Sequence, residues 1–112
     1  MRLKFESLKK EEDFAELARR GKRFIFPSLV FYTLVSEDGK NKIGVAVGKK
    51  VSKKAVQRNL VKRRIKALLR ENEARLTKRP LKILIVAQKE AAEKEFSELK
   101  AQFADFLKKL AP

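Results

Sequence analysis

Apolar residues recur in the chain with two different spacings, one typical of helices and one of strands. Phe14 and Leu17 give one apolar side to a segment that is predicted to be a helix from about Lys9 to Arg20. Ser7 is the candidate N-cap of this helix, and Gly21 is placed to end it. The first element is therefore predicted to be amphipathic.

Three later runs have the composition of β-strands. Ser28–Val35 is rich in β-branched and aromatic residues, and Leu81–Ala87 is a compact apolar run typical of a buried strand. Asp38–Gly39 is a hairpin signal, which predicts that Lys42–Gly48 returns beside the strand before it. The short apolar run Phe24–Phe26 leaves open whether it pairs as a strand of its own.

Two long segments show helical periodicity. One runs from Ala55 to about Leu76, and the other carries a stripe that begins at Phe96 and ends at Leu110. We interpret the Phe-rich stripe as core packing rather than as a base-stacking surface. The order of elements predicts an α+β fold, a small two-layer sandwich in which helices cover a mostly antiparallel sheet.

Composition narrows the classes of function. The 112 residues suit a single domain, and they include 29 Lys and Arg against 14 Asp and Glu, a net charge of +15. Such an excess favours a polyanionic partner, above all nucleic acid. Cysteine and histidine are absent, which excludes disulfides, thiolate zinc sites and histidine bases. Without a signal-peptide core or an apolar run of roughly 18 residues, we expect a cytoplasmic protein that does not bind membranes.

The positive charge is concentrated in one stretch. Between Lys49 and Arg70 there is no acidic residue, while ten residues are basic: Lys49, Lys50, Lys53, Lys54, Arg58, Lys62, Arg63, Arg64, Lys66 and Arg70. Like charges spaced three or four residues apart destabilise a helix. A helix face whose only role is to be solvated does not need this arrangement. On a helical wheel one edge carries Asn59, Lys62, Arg63, Lys66 and Arg70 within about 100°. The pattern predicts a surface that binds phosphates, with a solvated face as the alternative.

The same stretch resembles the signature of a known family. AVQRNLVKRRIKALLRE, from Ala55 to Glu71, is similar to the signature of the bacterial ribonuclease P protein subunit. Arg58, Asn59, Lys62 and Arg63 match it, and Lys66 stands where Arg is usual. The resemblance extends in order through LKKEEDFAELARRGKRF, LVFYTL, GVAVGKKVSKKA and LKILIVAQK, and so covers nearly the whole chain.

The resemblance implies a function. The protein would be one subunit of a ribonucleoprotein endonuclease that matures the 5′ end of precursor tRNA. Catalysis would reside in the RNA subunit with its Mg²⁺ ions, with no catalytic or metal-binding residue in the protein and no obligate protein partner. The RNA-binding residues would be Lys49, Lys50, Lys53, Lys54, Arg58, Asn59, Lys62, Arg63, Lys66 and Arg70. Phe14 and Tyr32 would line a cleft for the single-stranded 5′ leader, although both also suit an ordinary core.

The resemblance also bears on topology, and it leaves alternatives open. It implies a left-handed β-α-β crossover, as in the second domain of a small-subunit ribosomal protein, whereas about 98% of such crossovers are right-handed. Leu60 and Ala18 depart from the family pattern, which has a second Arg and often a second cleft Phe at these positions. A ribosomal or other structural RNA-binding protein is the main alternative function, and a protein nuclease with a carboxylate-bound metal is another.

Overall fold

A computed structural model describes residues 6–8 and 11–110, which form a five-stranded sheet with helices on both faces. The strands are β1 (Glu6–Ser7), β2 (Lys22–Ile25), β3 (Leu29–Val35), β4 (Lys42–Ala46) and β5 (Leu81–Ala87). The helices are α1 (Glu11–Arg20), α2 (Ala55–Glu71), α3 (Glu73–Leu76) and α4 (Phe96–Leu110), and a 3₁₀ turn spans Lys89–Ala92. Ser7 pairs with Ile43 in β1 rather than capping a helix, and the predicted helix start at Lys9 lies outside the described residues.

The strand order is β1-β4-β5-β3-β2, and the sheet is mixed. The antiparallel ladders β3–β5 and β2–β3 pair seven and four residues, and the parallel ladders β4–β5 and β1–β4 pair five and two. Antiparallel pairing therefore predominates by residue, as the sequence predicted. Phe24 pairs within β2, which answers the question that the short apolar run left open.

The predicted hairpin between β3 and β4 is wrong, because β5 lies between them. The turn itself forms: Gly39 has a φ of 74°, and the Ser36 hydroxyl donates to Asp38 Oδ1 at 2.6 Å. That hydrogen bond is the main reason why the pKa of Asp38 lies well below its usual range. The turn connects β3 to β4 across the end of β5, which lies between these two strands. At the start of β5, Leu81 N donates to Asn41 Oδ1 at 3.0 Å. The residues of a turn do not determine whether another strand lies between the two strands that the turn connects.

α2 connects two parallel neighbours. β4 and β5 pair in parallel over five residues, so the chain between them makes the predicted β-α-β crossover. Parallel neighbours require such a long connection, here one that contains a 17-residue helix. The left hand of this crossover stays a prediction of the resemblance.

The larger core lies between the sheet and the helices α2 and α4. Phe31 of β3 stacks on Phe106 of α4 with ring centroids 3.9 Å apart and an interplanar angle of 5°. Phe103 meets both rings edge-on. From α2, Ile65 and Leu68 are fully buried in the same cluster. The Phe stripe of the last helix is therefore core, as predicted.

α1 packs on the opposite face of the sheet. Leu17 of α1, Leu84 of β5 and Leu8 form a second buried cluster, separate from the larger core. Leu84 alternates with Ile83 and Ile85, whose side chains point to the other face. The two-layer description from the sequence is therefore corrected: α1 on one face and α2 with α4 on the other give three layers.

A partly buried ion pair anchors α1 to the sheet. Lys82 Nζ of β5 lies 3.1 Å from Asp13 Oδ1 and 3.8 Å from Glu16 Oε1, and the side chains of Lys82 and Asp13 are 15% and 14% exposed. The hydrogen bond to Asp13 raises the pKa of the Lys82 ammonium above its ordinary value. At the other end of α1, a Cβ on Gly21 would lie 2.4 Å from the Leu17 carbonyl oxygen. Glycine is therefore needed where α1 turns into β2.

We expect Asp13→Asn to lower the free energy of unfolding by about 1–2 kcal/mol at neutral pH, because Lys82 loses a charged acceptor in a site shielded from water. Since pairing raises the folded-state pKa of Lys82, this stabilisation is complete below about pH 10 and is lost as the pH rises through that pKa. Urea unfolding of both proteins between pH 7 and 11 checks this. A difference that stays constant across that range would contradict it.

Candidate nucleic-acid interface

The segment between β4 and α2 carries four exposed lysines on an anchored loop. Val47 and Val51 are buried in the larger core, and Val51 N donates to the Gly48 carbonyl at 3.0 Å. Lys49 and Lys50 lie at the tip of this turn with their side chains in solvent, and Lys53 and Lys54 follow, also exposed. The loop therefore presents its ammonium groups from a fixed backbone.

Arg58 ties this loop to α2. Its Nη1 donates to the backbone carbonyls of Ser52 and Lys53, at 2.9 Å each, and the residue is only half-exposed. Ser52 Oγ in turn accepts from Lys54 N at 3.2 Å. The sequence placed Arg58 among the phosphate-binding residues, but its nearest partners are carbonyl groups of the protein. Helical periodicity gives no sign of such a fold-back, because it depends on the path of the loop.

The N-terminus of α2 opens beside these lysines. No side chain caps the helix at Lys54, and the first turn contains no acidic residue. The first backbone N–H groups of a helix have no partner within the helix and, with the helix dipole, favour an anion. Loop and helix end together form a positively charged site suited to phosphate.

The predicted basic stripe exists. A shallow open groove of about 450 Å³ runs along α2 and is lined by Val56, Asn59, Lys62, Arg63 and Lys66. Arg70 is exposed in the last turn of the helix. The ion pairs of the described residues mainly involve cations elsewhere, such as Lys42, Lys82 and Lys100. The stripe thus offers guanidinium and ammonium donors along one side of a helix about 25 Å long.

The remaining residues of this helix have other roles. Arg64 is half-buried and donates to the Lys94 carbonyl at 3.3 Å, so it links α2 to the segment before α4. Leu60, the departure from the family pattern, is 38% exposed. It lines a shallow apolar depression with Ala67 and Phe96 rather than packing under the basic loop.

Phe14 and Tyr32 come together on the other face of the sheet. Both are half-buried and pack against the cluster of Leu8, Leu17 and Leu84 beside α1. A Cβ on Gly44 would lie 3.3 Å from Phe14 Cε1, so glycine lets α1 sit close to β4. The rings therefore contribute to packing, and each keeps some exposed surface at the edge of α1.

Beyond α1 this face of the sheet is open. In register, Arg23 lies opposite Tyr32, and Ile25 lies opposite Val30. Ile25 is 64% exposed and so presents an apolar side chain to solvent beside Val30. Arg23 and Ile25 were not identified from the sequence as candidate site residues. Because side chains alternate between the two faces of a strand, their position on either side of buried Phe24 could have indicated that they share the opposite face. Ala18 is exposed on α1 and supplies no second ring.

In the described parts of the chain, no group of three or more Asp or Glu residues is placed to hold a metal ion. None of the helices in residues 11–110 is long and apolar enough to cross a membrane.

A sequence profile of the family described as Ribonuclease P matches residues 3–111. This chain belongs to the ribonuclease P protein family. The Ribonuclease P protein component of Listeria innocua is 37% identical to this family member over 102 residues, which are 90% of this chain and 84% of that protein. The component of Clostridium botulinum is 33% identical over 107 residues, 96% of each chain.

The fold of this ribonuclease P family protein agrees with a solved structure. The RNase P protein of Staphylococcus aureus superposes with a TM-score of 0.81 over 91% of this chain and 92% of that one. At 23% identity the likeness shows the shared fold alone. Both the family and the α+β fold that the resemblance implied are thus confirmed.

The hydrogen bonds of Arg58 distinguish it from its neighbour Lys62. We expect Lys62→Ala to reduce the salt dependence of binding to a ribonuclease P RNA by about 0.7–0.9 in slope, because one phosphate contact is lost. Arg58→Ala should lower affinity with a smaller change in slope, because it releases the backbone of Ser52 and Lys53. Titrations at several salt concentrations measure both, and amide hydrogen exchange reports on the loop. Equal slopes, with unchanged exchange in Arg58→Ala, would show that Arg58 acts as a simple phosphate contact.

Proposed function

We propose that this chain is the protein subunit of a bacterial ribonuclease P, which binds the catalytic RNA through α2 and the basic loop. The observation that carries the proposal is the stretch from Lys49 to Arg70, with ten cations and no carboxylate, displayed on one helix and the loop before it. Phosphate contacts fix the position and register of a protein on RNA. This surface is suited to such docking.

The second part of the proposal is that the precursor tRNA leader binds on the opposite face. Phe14 and Tyr32 border an open apolar area that includes Ile25 and Val30, with Arg23 in register beside Tyr32. Aromatic side chains and a flanking cation are the features with which proteins hold single-stranded RNA. Because the sheet separates this area from α2, the protein is able to contact the RNA subunit and the substrate at once.

The chemistry falls to the RNA. Among the described residues, no three carboxylates lie close enough together to hold a metal ion. On the family resemblance we assign Mg²⁺ to the RNA subunit, where it would activate water. The protein contributes positive charge that reduces phosphate repulsion and holds the leader in place. Precursor tRNA matures in the cytoplasm, which is where we place the assembled enzyme.

Leader binding predicts a specific loss in one variant. Tyr32→Leu keeps an apolar side chain for packing but removes the ring, so the preference of the holoenzyme for precursor over mature tRNA should fall by about 1–3 kcal/mol. Phe96→Leu is the matched control, because Phe96 is a half-buried aromatic residue on the other face. Equilibrium binding of both tRNA forms measures the difference. An unchanged preference in Tyr32→Leu, or an equal loss in Phe96→Leu, would rule out the stacking role.

Reconstitution tests the function as a whole. We expect the purified protein alone not to cleave precursor tRNA at any Mg²⁺ concentration. With a ribonuclease P RNA it should lower the Mg²⁺ concentration that cleavage requires, because its +15 charge replaces part of the counterion screening. Cleavage assays across a Mg²⁺ series provide the measurement. Site-specific cleavage by RNA-free protein would overturn the assignment, and failure to distinguish precursor from mature tRNA would favour a structural RNA-binding protein.

A further inference from the structure

A second basic surface lies at the end of the sheet away from the basic loop. There α1 and α4 end and β2 and β5 begin, around a groove of about 330 Å³. Four of its lining residues are cations, namely Arg20, Lys22, Arg79 and Lys109, and none of the described lining residues is acidic. The floor is apolar and includes Phe24 and Leu81.

An adjoining cavity extends this surface towards α2. It has a volume of about 220 Å³ and is lined by Arg75, Lys78 and Arg79 together with apolar residues. The two cavities share Arg79, Leu81 and Leu110. We name the six cations the far-end tract: Arg20, Lys22, Arg75, Lys78, Arg79 and Lys109. The tract runs from the end of α3, which follows α2 after one residue, to the start of β2.

Helix dipoles explain only part of this charge. Arg20 and Lys109 lie in the last turns of α1 and α4, where a cation stabilises the helix. Lys22 and Lys78 are exposed outside any helix, so this explanation does not cover them. By comparison, Lys94 and Lys100 near and on α4 pair with Glu98 and Glu71. Within the tract, Arg20 pairs with Glu16 at 3.7 Å, and Arg79 Nη2 donates to the Leu110 carbonyl at 3.1 Å. None of the described residues that line the two cavities is acidic, so the tract keeps a net positive charge.

The position of the tract favours contact with the RNA subunit over contact with the precursor tRNA leader. The groove lies at the edge of the sheet, where Arg20 of α1 and Leu34 of the α1 cluster also line it. Most of the tract is on the α4 face, because Lys109 comes from α4 and the cavity beside Arg75, Lys78 and Arg79 is lined by Leu107 and Leu110 of α4. Phe14 and Tyr32 lie on the opposite face. An RNA docked on α2 therefore has direct access to most of the tract, whereas the sheet separates a leader beside Tyr32 from every tract cation except Arg20.

We infer that the far-end tract is a second docking surface for the phosphate backbone of the RNA subunit, distinct from the stripe on α2. The inference rests on the proposed function and adds a second point of attachment to it. Two separated phosphate sites fix the orientation of a protein on a large RNA, because one stripe alone allows rotation about it. Guanidinium and ammonium donors above an apolar floor suit phosphate and the adjoining sugar.

Matched charge variants test the inference. Arg20→Gln, Lys22→Gln and Lys109→Gln combined remove three charges from the tract. Lys89→Gln, Lys94→Gln and Lys100→Gln remove three charges from exposed positions elsewhere. We expect the tract variant to bind the RNA subunit at least about tenfold more weakly, with a salt slope lower by about 2–3, and the control to change by less than one unit of slope. Melting temperatures verify that both variants fold.

Directed cleavage locates the RNA near the tract. Because the chain contains no cysteine, Lys109→Cys carries a single attachment point for an iron chelate that generates hydroxyl radicals. We expect this probe to cut a defined segment of the RNA subunit in the holoenzyme. The same probe at Lys100→Cys serves as the comparison, and its cuts should be weaker and lie elsewhere.

The outcomes separate this inference from the proposed function. If the wild-type protein binds the RNA subunit and prefers precursor tRNA, but the tract variant behaves like the control, only the second docking surface is overturned. If the tract variant loses affinity for precursor tRNA and not for the RNA subunit, the assignment to the RNA subunit is wrong. If the wild-type protein binds neither RNA, the proposed function itself fails.

Discussion

β5 is the element on which the rest of the structure depends. It pairs with β3 on one side and β4 on the other, and its side chains enter both cores. Ile83 and Ile85 support α2 and α4, Leu84 supports α1, and Lys82 holds the ion pair to Asp13. A strand buried on both faces and bonded on both edges fixes the position of every layer relative to the others.

This central strand explains how a small protein presents the basic stripe and the aromatic pair Phe14 and Tyr32 on separate faces. The parallel pairing of β4 with β5 requires α2 as a crossover, which carries the basic stripe to one side. The antiparallel pairing of β3 with β5 brings Tyr32 alongside Leu84 on the other side, under α1. Repulsion among the cations of α2 is tolerated because Val61, Ile65 and Leu68 bury the opposite side of that helix.

Periodicity alone predicted the parts of the structure that depend on local sequence. The two long helices, the apolar run of β5 and the basic stripe of α2 all follow from the spacing of residues within one element. Other features depend on contacts between distant segments and were not predicted. They are the placement of β5 between β3 and β4, the packing of α1 on the face opposite α2, and the hydrogen bonds from Arg58 to the loop. The proposed function comes from the family resemblance, because a basic surface does not by itself specify which RNA it binds.

The ties between Arg58 and the carbonyl groups of Ser52 and Lys53 have a consequence for the speed of recognition. Fixing the backbone of one flexible residue costs roughly 1–2 kcal/mol of free energy, because its conformational entropy is lost. In this protein that loss occurs during folding, before any RNA arrives. In the proposed complex the loop therefore needs no slow rearrangement, so a conformational change of the loop does not lower the association rate.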